Sequence, residues 1–180
     1  MKTIIDRLVY TALLAMSVSF LCAQDRKGID FYEAGDYSAA KSFLLKNGAT
    51  DAASHFYLGD IYFKEKKTDS AQYYFQKGLE IDPESLYNRI GLAKVLLAKT
   101  GSADELNKIA GEKKNRKNGT VLALIAEAYM DNGKTKEALA QVDQAIKTDS
   151  KNPKPYLLKG DIIASQGDTG EAATLYENAR

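Results

Sequence analysis

The sequence has few of the residues that build reactive sites or covalent cross-links. Its 180 residues include one cysteine, Cys22, one histidine, His55, and no tryptophan. One cysteine and one histidine cannot supply the ligands of a zinc site or the paired groups that activate a nucleophile. A disulfide framework and a thiolate enzyme are therefore not expected.

An excess of charge of one sign is also missing. The chain carries 25 lysines and arginines against 24 aspartates and glutamates, for a net charge of +1. Such a chain has no global field that would attract nucleic acid or an anionic surface. With only three prolines and no sustained alternation of apolar and polar residues, the sequence predicts an all-α protein.

The first 23 residues have the pattern of a secretory signal peptide. Two basic residues precede an apolar run over residues 8–21, which is short for a membrane span, and the small Ala23 suits a cleavage site. Cleavage after Ala23 would leave 157 residues without cysteine. Lipidation at Cys22 and retention as a membrane anchor are the alternatives, although Phe20 and Leu21 are large for the residues before a lipidated cysteine.

Small residues recur along the remaining chain at intervals of 31 to 34 residues: Gly28, Gly59, Ala93, Ala126 and Gly160. Twelve residues after each comes a second set, in which only Glu105 is not small: Ala40, Ala71, Glu105, Ala138 and Ala172. This period is typical of stacked two-helix repeats. Since small residues allow two helices to approach closely, we expect the two sets to meet where the helices cross.

Large apolar residues follow the second set by four positions: Leu44, Phe75, Ile109, Val142 and Tyr176. We expect them to fill the space beside each crossing. Helix pairs are predicted over residues 28–34 and 37–46, 53–64 and 69–81, 121–130 and 135–147, and 154–165 and 169 onward. The third pair begins with a helix over 87–98; its second helix either is short, ending near Ala110, or the stack is locally loosened. We expect the highest mobility in the polar, basic connection over 111–119.

The repeats resemble those of the tetratricopeptide repeat family. The family pattern is met best in the second repeat, by His55, Leu58, Gly59, Tyr62, Ala71, Phe75, Gly78 and Pro83. The resemblance implies an all-α, right-handed α-solenoid of about five helix-turn-helix repeats, the third degenerate. It covers a single domain over residues 24–180, with approximate repeats at 24–51, 52–85, 86–118, 119–152 and 153–180.

In this family the first helix of each pair lines a groove that holds other polypeptides. The positions implied for a partner-binding groove are Tyr32, Phe56, Asp60, Phe63, Tyr87, Ile90, Lys94, Leu97, Glu127, Met130, Leu157 and Asp161. Aromatic anchors ringed by polar residues are typical of peptide-binding hot spots. Some members of the family bind the C-terminal carboxylate of a peptide with lysine and asparagine side chains. Here the matching positions hold Asp25, Ile29, Phe56 and Asp60, so a carboxylate clamp is not expected.

No catalytic, cofactor-binding or metal-binding residue is predicted. We interpret His55 as a packing residue and Asp60, Glu127 and Asp161 as a row of solvated acids on successive first helices. The basic run over residues 113–117 has no interleaved aromatic residues for base stacking, so we interpret it as a solvated connection.

The sequence therefore predicts a non-enzymatic scaffold for protein–protein interaction, exported to the periplasm or to the periplasmic face of the outer membrane. It would bind a protein or peptide, and no nucleic acid, small-molecule substrate or cofactor. The alternative is a structural or dimerisation module at the front of a larger outer-membrane or peptidoglycan-associated protein. Because the chain ends before a closing helix, we expect Ala172, Leu175, Tyr176 and Ala179 to be partly bare, unless a longer polypeptide or a homodimer through this edge covers them.

Overall fold

The computed structural model describes residues 26–180, and the regular structure in this range is entirely α-helical. The all-α prediction is thereby confirmed for the described residues, while the predicted signal peptide and its alternatives lie outside them. The helices are α1 (26–33), α2 (Tyr37–Asn47), α3 (Ala52–Lys64), α4 (Thr68–Ile81), α5 (Leu86–Thr100), α6 (Asp104–Gly111), α7 (Gly119–Asp131), α8 (Thr135–Thr148), α9 (Pro153–Ser165) and α10 (Thr169–Asn178).

Short polar side chains determine where five of these helices begin. Asp36, Asp51, Asn118, Asn152 and Asp168 precede α2, α3, α7, α9 and α10, and each side chain accepts a hydrogen bond from a backbone N–H of the first turn. Such caps satisfy donors that have no partner inside the helix. The helix starts therefore follow from local sequence.

The turns between paired helices need a residue with positive φ. Gly35, Gly133 and Gly167 have φ angles of 80°, 70° and 93°, a region that glycine enters without steric cost. The second repeat has Lys66 at the equivalent place, with φ of 63°. This turn is therefore the strained member of the series.

Glycines on the first helices let the second helices approach closely. A Cβ atom on Gly28 would lie 2.5 Å from Leu44 Cδ2, and one on Gly59 would lie 2.6 Å from the ring of Phe75. A Cβ on Gly160 would lie 2.5 Å from the ring of Tyr176.

In these three pairs the large side chain thus lies over the glycine itself. The expectation that large residues fill the space beside the crossing is wrong for them. A leucine or an aromatic ring needs the volume that an absent side chain leaves, so small residue meets large residue.

The described chain divides into two compact units, of which the first ends at Asn88 and the second runs from Arg89 to Arg180. In the first unit α3 packs against α4 and α2, around a buried cluster that includes Leu44, Ala49 and Leu58. In the second unit α7 packs against α8, and α9 packs against α7, α8 and α10, around Leu122, Ala123 and Ala145.

The third pair ends in a short helix, as one of the two alternatives predicted. Helix α6 has 8 residues, whereas α4 and α8 have 14 each. Residues 112–118 then form turns in which the buried Asn115 donates to the carbonyl oxygen of Ile109 at 2.9 Å. Arg89 on α5 donates to Glu112 at 2.8 Å. Side-chain hydrogen bonds to a backbone carbonyl and to a carboxylate thus hold this connection in place. Its expected mobility stays a prediction.

The last repeat buries two of the four residues that were expected to be partly bare. Ala172 and Leu175 are both buried, whereas Tyr176, which lies over Gly160, and Ala179 are half-buried. The expectation is wrong for Ala172 and Leu175, because within this unit α9 packs along α10. Among the helices described over residues 26–180, none has both the length and the apolar character that crossing a membrane requires.

Candidate functional site

Five aromatic rings form a continuous ladder in the first unit. In spatial order these rings, named here the aromatic ladder, are Tyr37, Tyr32, Tyr57, Phe56 and Tyr87. Successive ring centroids are 5.1, 4.7, 5.3 and 5.4 Å apart, within the range of favourable aromatic pairs. The two ends are exposed, Tyr37 by 40% and Tyr87 by 45%, whereas Phe56 in the interior is buried.

The ladder contains three predicted groove residues and two that the sequence analysis missed. Tyr32, Phe56 and Tyr87 were predicted, and the structure brings them together through Tyr57. Tyr57 directly follows Phe56 in the sequence, and Tyr37 is the first residue of a second helix. Neither therefore occupies a position that the repeat pattern assigns to the groove. The dense tyrosine content of the first half of the chain was the available signal.

Asp60 is buried next to the ladder, with only 3% of its surface exposed. Its carboxylate accepts a hydrogen bond from the Tyr32 hydroxyl at 2.5 Å and lies 3.3 Å from the Lys64 ammonium. The interpretation of Asp60 as a solvated acid is therefore wrong. A phenol and an ammonium group together stabilise a carboxylate that has been removed from water.

The remaining predicted residues of the first unit and the early ones of the second are buried. Phe63 belongs to the first unit, and Ile90, Lys94 and Leu97 belong to the second. Lys94 forms an ion pair with Asp131, and the Asn132 side-chain amide donates to the Lys94 carbonyl oxygen at 3.3 Å. These side chains present little surface to a partner in this conformation.

Helices α7 and α9 carry the accessible predicted residues of the second unit. Leu157 is 45% exposed, Asp161 is exposed, and Glu127 and Met130 are half-buried. Glu127 lies 3.2 Å from the Lys154 ammonium, so it too is paired.

Asp161 accepts a hydrogen bond from the Tyr176 hydroxyl at 2.9 Å. This hydrogen bond raises the pKa of Tyr176 above its usual value, because it stabilises the protonated phenol. Asp161 thus links α9 to α10 while it remains open to solvent.

His55 has a local structural contact. Its Nδ1 atom lies 2.9 Å from the Asp51 carbonyl oxygen, one turn earlier in the chain. Its ring centroid lies 6.1 Å from that of Tyr74 on α4. The contacts of His55 are those of a residue that packs α3 against α4.

The sequence matches profiles of a known repeat. A profile of the tetratricopeptide repeat matches residues 52–85, and a second profile of the same repeat matches residues 124–180. The chain carries tetratricopeptide repeats. The two matches together span about half of the sequence, and a search of curated proteins found no match.

Solved structures of other tetratricopeptide repeat proteins share the fold. A tetratricopeptide repeat protein from Parabacteroides merdae has a TM-score of 0.62 and 21% identity, over 96% of this chain and 69% of that one. A thermophilic tetratricopeptide repeat protein from Thermus thermophilus has a TM-score of 0.59 and 19% identity, over 88% of this chain and 89% of that one. At these identities the likeness concerns the fold alone. The fold is that of an interaction module, and no catalytic family is indicated.

Proposed function

We propose that this protein is a scaffold of the bacterial cell envelope that holds a partner polypeptide on the faces of its first helices. The observation that carries the proposal is the aromatic ladder with its exposed Tyr87. A large ring that is half open to solvent, and is supported from behind by the buried Phe56 at 5.4 Å, has the character of a binding hot spot.

The rigidity of the ladder supports the same role. Tyr32 is held by its hydrogen bond to Asp60 and by ring contacts on both sides. A side chain that is ordered before binding loses less conformational entropy in the complex. Leu157 on α9 is an exposed apolar side chain on the second unit and is the corresponding candidate anchor there.

The test begins with crosslinking of the protein in its native cell and identification of the attached polypeptide. The dissociation constant of the purified pair is then measured for Tyr87→Ala and for Tyr73→Ala. Tyr73 is a matched control, because it is 53% exposed but lies on α4, away from the ladder. We expect Tyr87→Ala to weaken binding by roughly thirtyfold or more, which corresponds to the loss of about 2 kcal/mol that marks a hot spot, and Tyr73→Ala to change it little.

A second matched pair tests the second unit. Leu157 and Leu45 are 45% and 44% exposed, on α9 and α2 respectively. Leu157→Ala should weaken binding more than Leu45→Ala does. Equal affinities for all four variants and the unsubstituted protein would contradict binding at the first helices.

Export to the periplasm is part of the proposal and rests on the pattern of residues 1–23. Cell fractionation followed by N-terminal sequencing tests it directly. We expect a periplasmic protein that begins at Gln24. A cytosolic protein that begins at Met1 would refute export, and a membrane-bound form that begins with a lipid-modified Cys22 would support the lipidated alternative.

A further inference from the structure

A cleft of about 310 Å³ opens in the second unit beside the short helix α6, and Ala110 and Gly111 at the end of that helix form part of its lining. Asn107 on α6, Arg116 in the following turn, and Gln141 and Gln144 on α8 line its walls, and Leu122 on α7 also lines it. Its polar side chains thus come from the second helices α6 and α8 and from the connecting turn, while the first helix α7 contributes the buried Leu122. The candidate anchor Leu157 lies on α9, away from this cleft.

The short third pair explains why the cleft exists. Helix α6 ends at Gly111 after 8 residues, and it packs against α7 less extensively than α8 packs against α9. The chain then turns through residues 112–118, and Asn115 fastens this turn to Ile109. The space that a full-length second helix would occupy is left open, and Arg116 lies at its edge.

The polar side chains that line the cleft carry hydrogen-bond donors that are available to a ligand. Within residues 26–180, the guanidinium of Arg116 forms no ion pair, and the side-chain amides of Gln141 and Gln144 form no hydrogen bond. Gln141 and Gln144 are three residues apart and so lie on one face of α8. Of the described residues that line the cleft, none is acidic.

The exposed side chains next to Arg116 in the turn are also positively charged. Lys113 and Lys117 flank Arg116 in the turn and are exposed, and neither forms an ion pair with another described residue. Glu112, the carboxylate nearest in sequence, accepts a hydrogen bond from Arg89 at 2.8 Å. The turn therefore presents uncompensated positive charge next to the amide wall.

We infer that this cleft binds an acidic segment of a partner polypeptide. Arg116 would receive a carboxylate in a two-pronged hydrogen bond, which its planar guanidinium suits. Gln141 and Gln144 would exchange hydrogen bonds with the adjoining peptide groups, because an amide both donates and accepts. The volume is at the small end for a binding pocket, which suits one acidic side chain with its backbone.

A peptide suits the cleft better than a nucleic acid does. No aromatic side chain is among the described residues that line it, so bases would have no surface on which to stack. The net charge of +1 also provides little long-range attraction for a polyanionic backbone.

The experiment measures binding of a fluorescently labelled, N-acetylated hexaglutamate peptide to the purified chain by fluorescence anisotropy. Hexaglutamine and a hexathymidylate oligonucleotide serve as comparison probes. The variants are Arg116→Gln, the double variant Gln141→Ala with Gln144→Ala, and Lys117→Gln. Lys117→Gln is the matched control, because it removes the same charge from the same turn but not from the cleft wall.

We expect hexaglutamate to bind, and hexaglutamine and hexathymidylate to bind at least about tenfold more weakly. Arg116→Gln should weaken hexaglutamate binding by about tenfold or more, the double amide variant by about threefold to tenfold, and Lys117→Gln by less than about threefold. In NMR spectra, hexaglutamate should shift the side-chain amide signals of Gln141 and Gln144.

Three results would overturn the inference. These are equal losses for Arg116→Gln and Lys117→Gln, a preference for hexathymidylate, and spectral shifts on α7 and α9 without any on α8. Circular dichroism of each variant verifies that it is folded. Because Tyr87→Ala and Leu157→Ala leave the cleft intact, they should retain hexaglutamate binding, which separates this site from the proposed partner surface.

Discussion

The ring of Phe75 lies over the backbone of Gly59, so closely that a Cβ atom at position 59 would be 2.6 Å from it. Leu44 over Gly28 and Tyr176 over Gly160 repeat this contact. In the same register, Ala93 and Ala126 are matched by the β-branched Ile109 and Val142, and all four are buried. Where the first helix has glycine, the second helix thus carries leucine or an aromatic residue, and where the first helix has alanine, the second carries a β-branched residue.

Gly59→Ala should destabilise the protein despite the better helix propensity of alanine. The added methyl group would push against a fully buried ring, and overpacking of this kind costs roughly 1–3 kcal/mol. Alanine in a helix recovers up to about 1 kcal/mol of this. Urea unfolding measures the difference. Gly111→Ala is the control, since a Cβ there meets nothing within 4 Å, and it should be neutral or stabilising.

Lys66→Gly should stabilise the protein. Lys66 has φ of 63° in the turn where Gly35, Gly133 and Gly167 stand in other repeats. Relief of left-handed strain is worth about 1–2 kcal/mol, and the greater freedom of glycine in the unfolded chain removes up to about 1 kcal/mol of it. Thermal unfolding should show a higher Tm. Lys46→Gly, inside the last turn of α2, should have the opposite effect; a lower Tm for Lys66→Gly would refute the strain.

Asn88→Ala should destabilise the first unit by about 1–3 kcal/mol, because it removes two hydrogen bonds that a buried side chain donates. The buried Asn88 amide donates to the Ala52 carbonyl oxygen at 2.8 Å and to the Ser85 hydroxyl at 2.9 Å. Chemical denaturation gives the change in unfolding free energy. The exposed Asn178 provides the comparison, since Asn178→Ala should change stability by no more than about 0.5 kcal/mol.

Glu112 should titrate below its ordinary pKa of 4.5. The hydrogen bond from Arg89 is the largest cause of this lowered pKa, and the charges of Arg89, Lys114 and Lys108 add to it. Because the folded state favours the carboxylate, the contribution to stability is complete above the ordinary pKa and is lost as the pH falls through the lowered value.

Carboxyl NMR titration of Glu112 measures this shift. In Arg89→Gln the pKa should return toward 4.5, whereas Lys114→Gln should leave most of the shift, since that ammonium is 3.9 Å away. An unchanged pKa in Arg89→Gln would show that the 2.8 Å contact does not determine it.

The candidate site was only partly predictable. The register of the repeats selected Tyr32, Phe56 and Tyr87, but it could not show that Tyr37 and Tyr57 complete the ladder, because their contacts join different helices. Asp60 was misread as a solvated acid, since its partner Tyr32 is 28 residues away in the sequence. The cleft at Arg116 was also missed, although the sequence did indicate a short second helix and a basic turn at that place.

The sequence alone determined what is local or periodic. The starts of five helices follow from capping residues within a few positions, and the two-helix repeat follows from small residues at a fixed interval, since both act through neighbours along the chain or through copies of one pattern. Tertiary structure decided which side chains are open and which are paired. Exposure and pairing depend on residues brought together by the fold, so the aromatic Tyr87 stays accessible while the charged Lys94 is buried in an ion pair with Asp131.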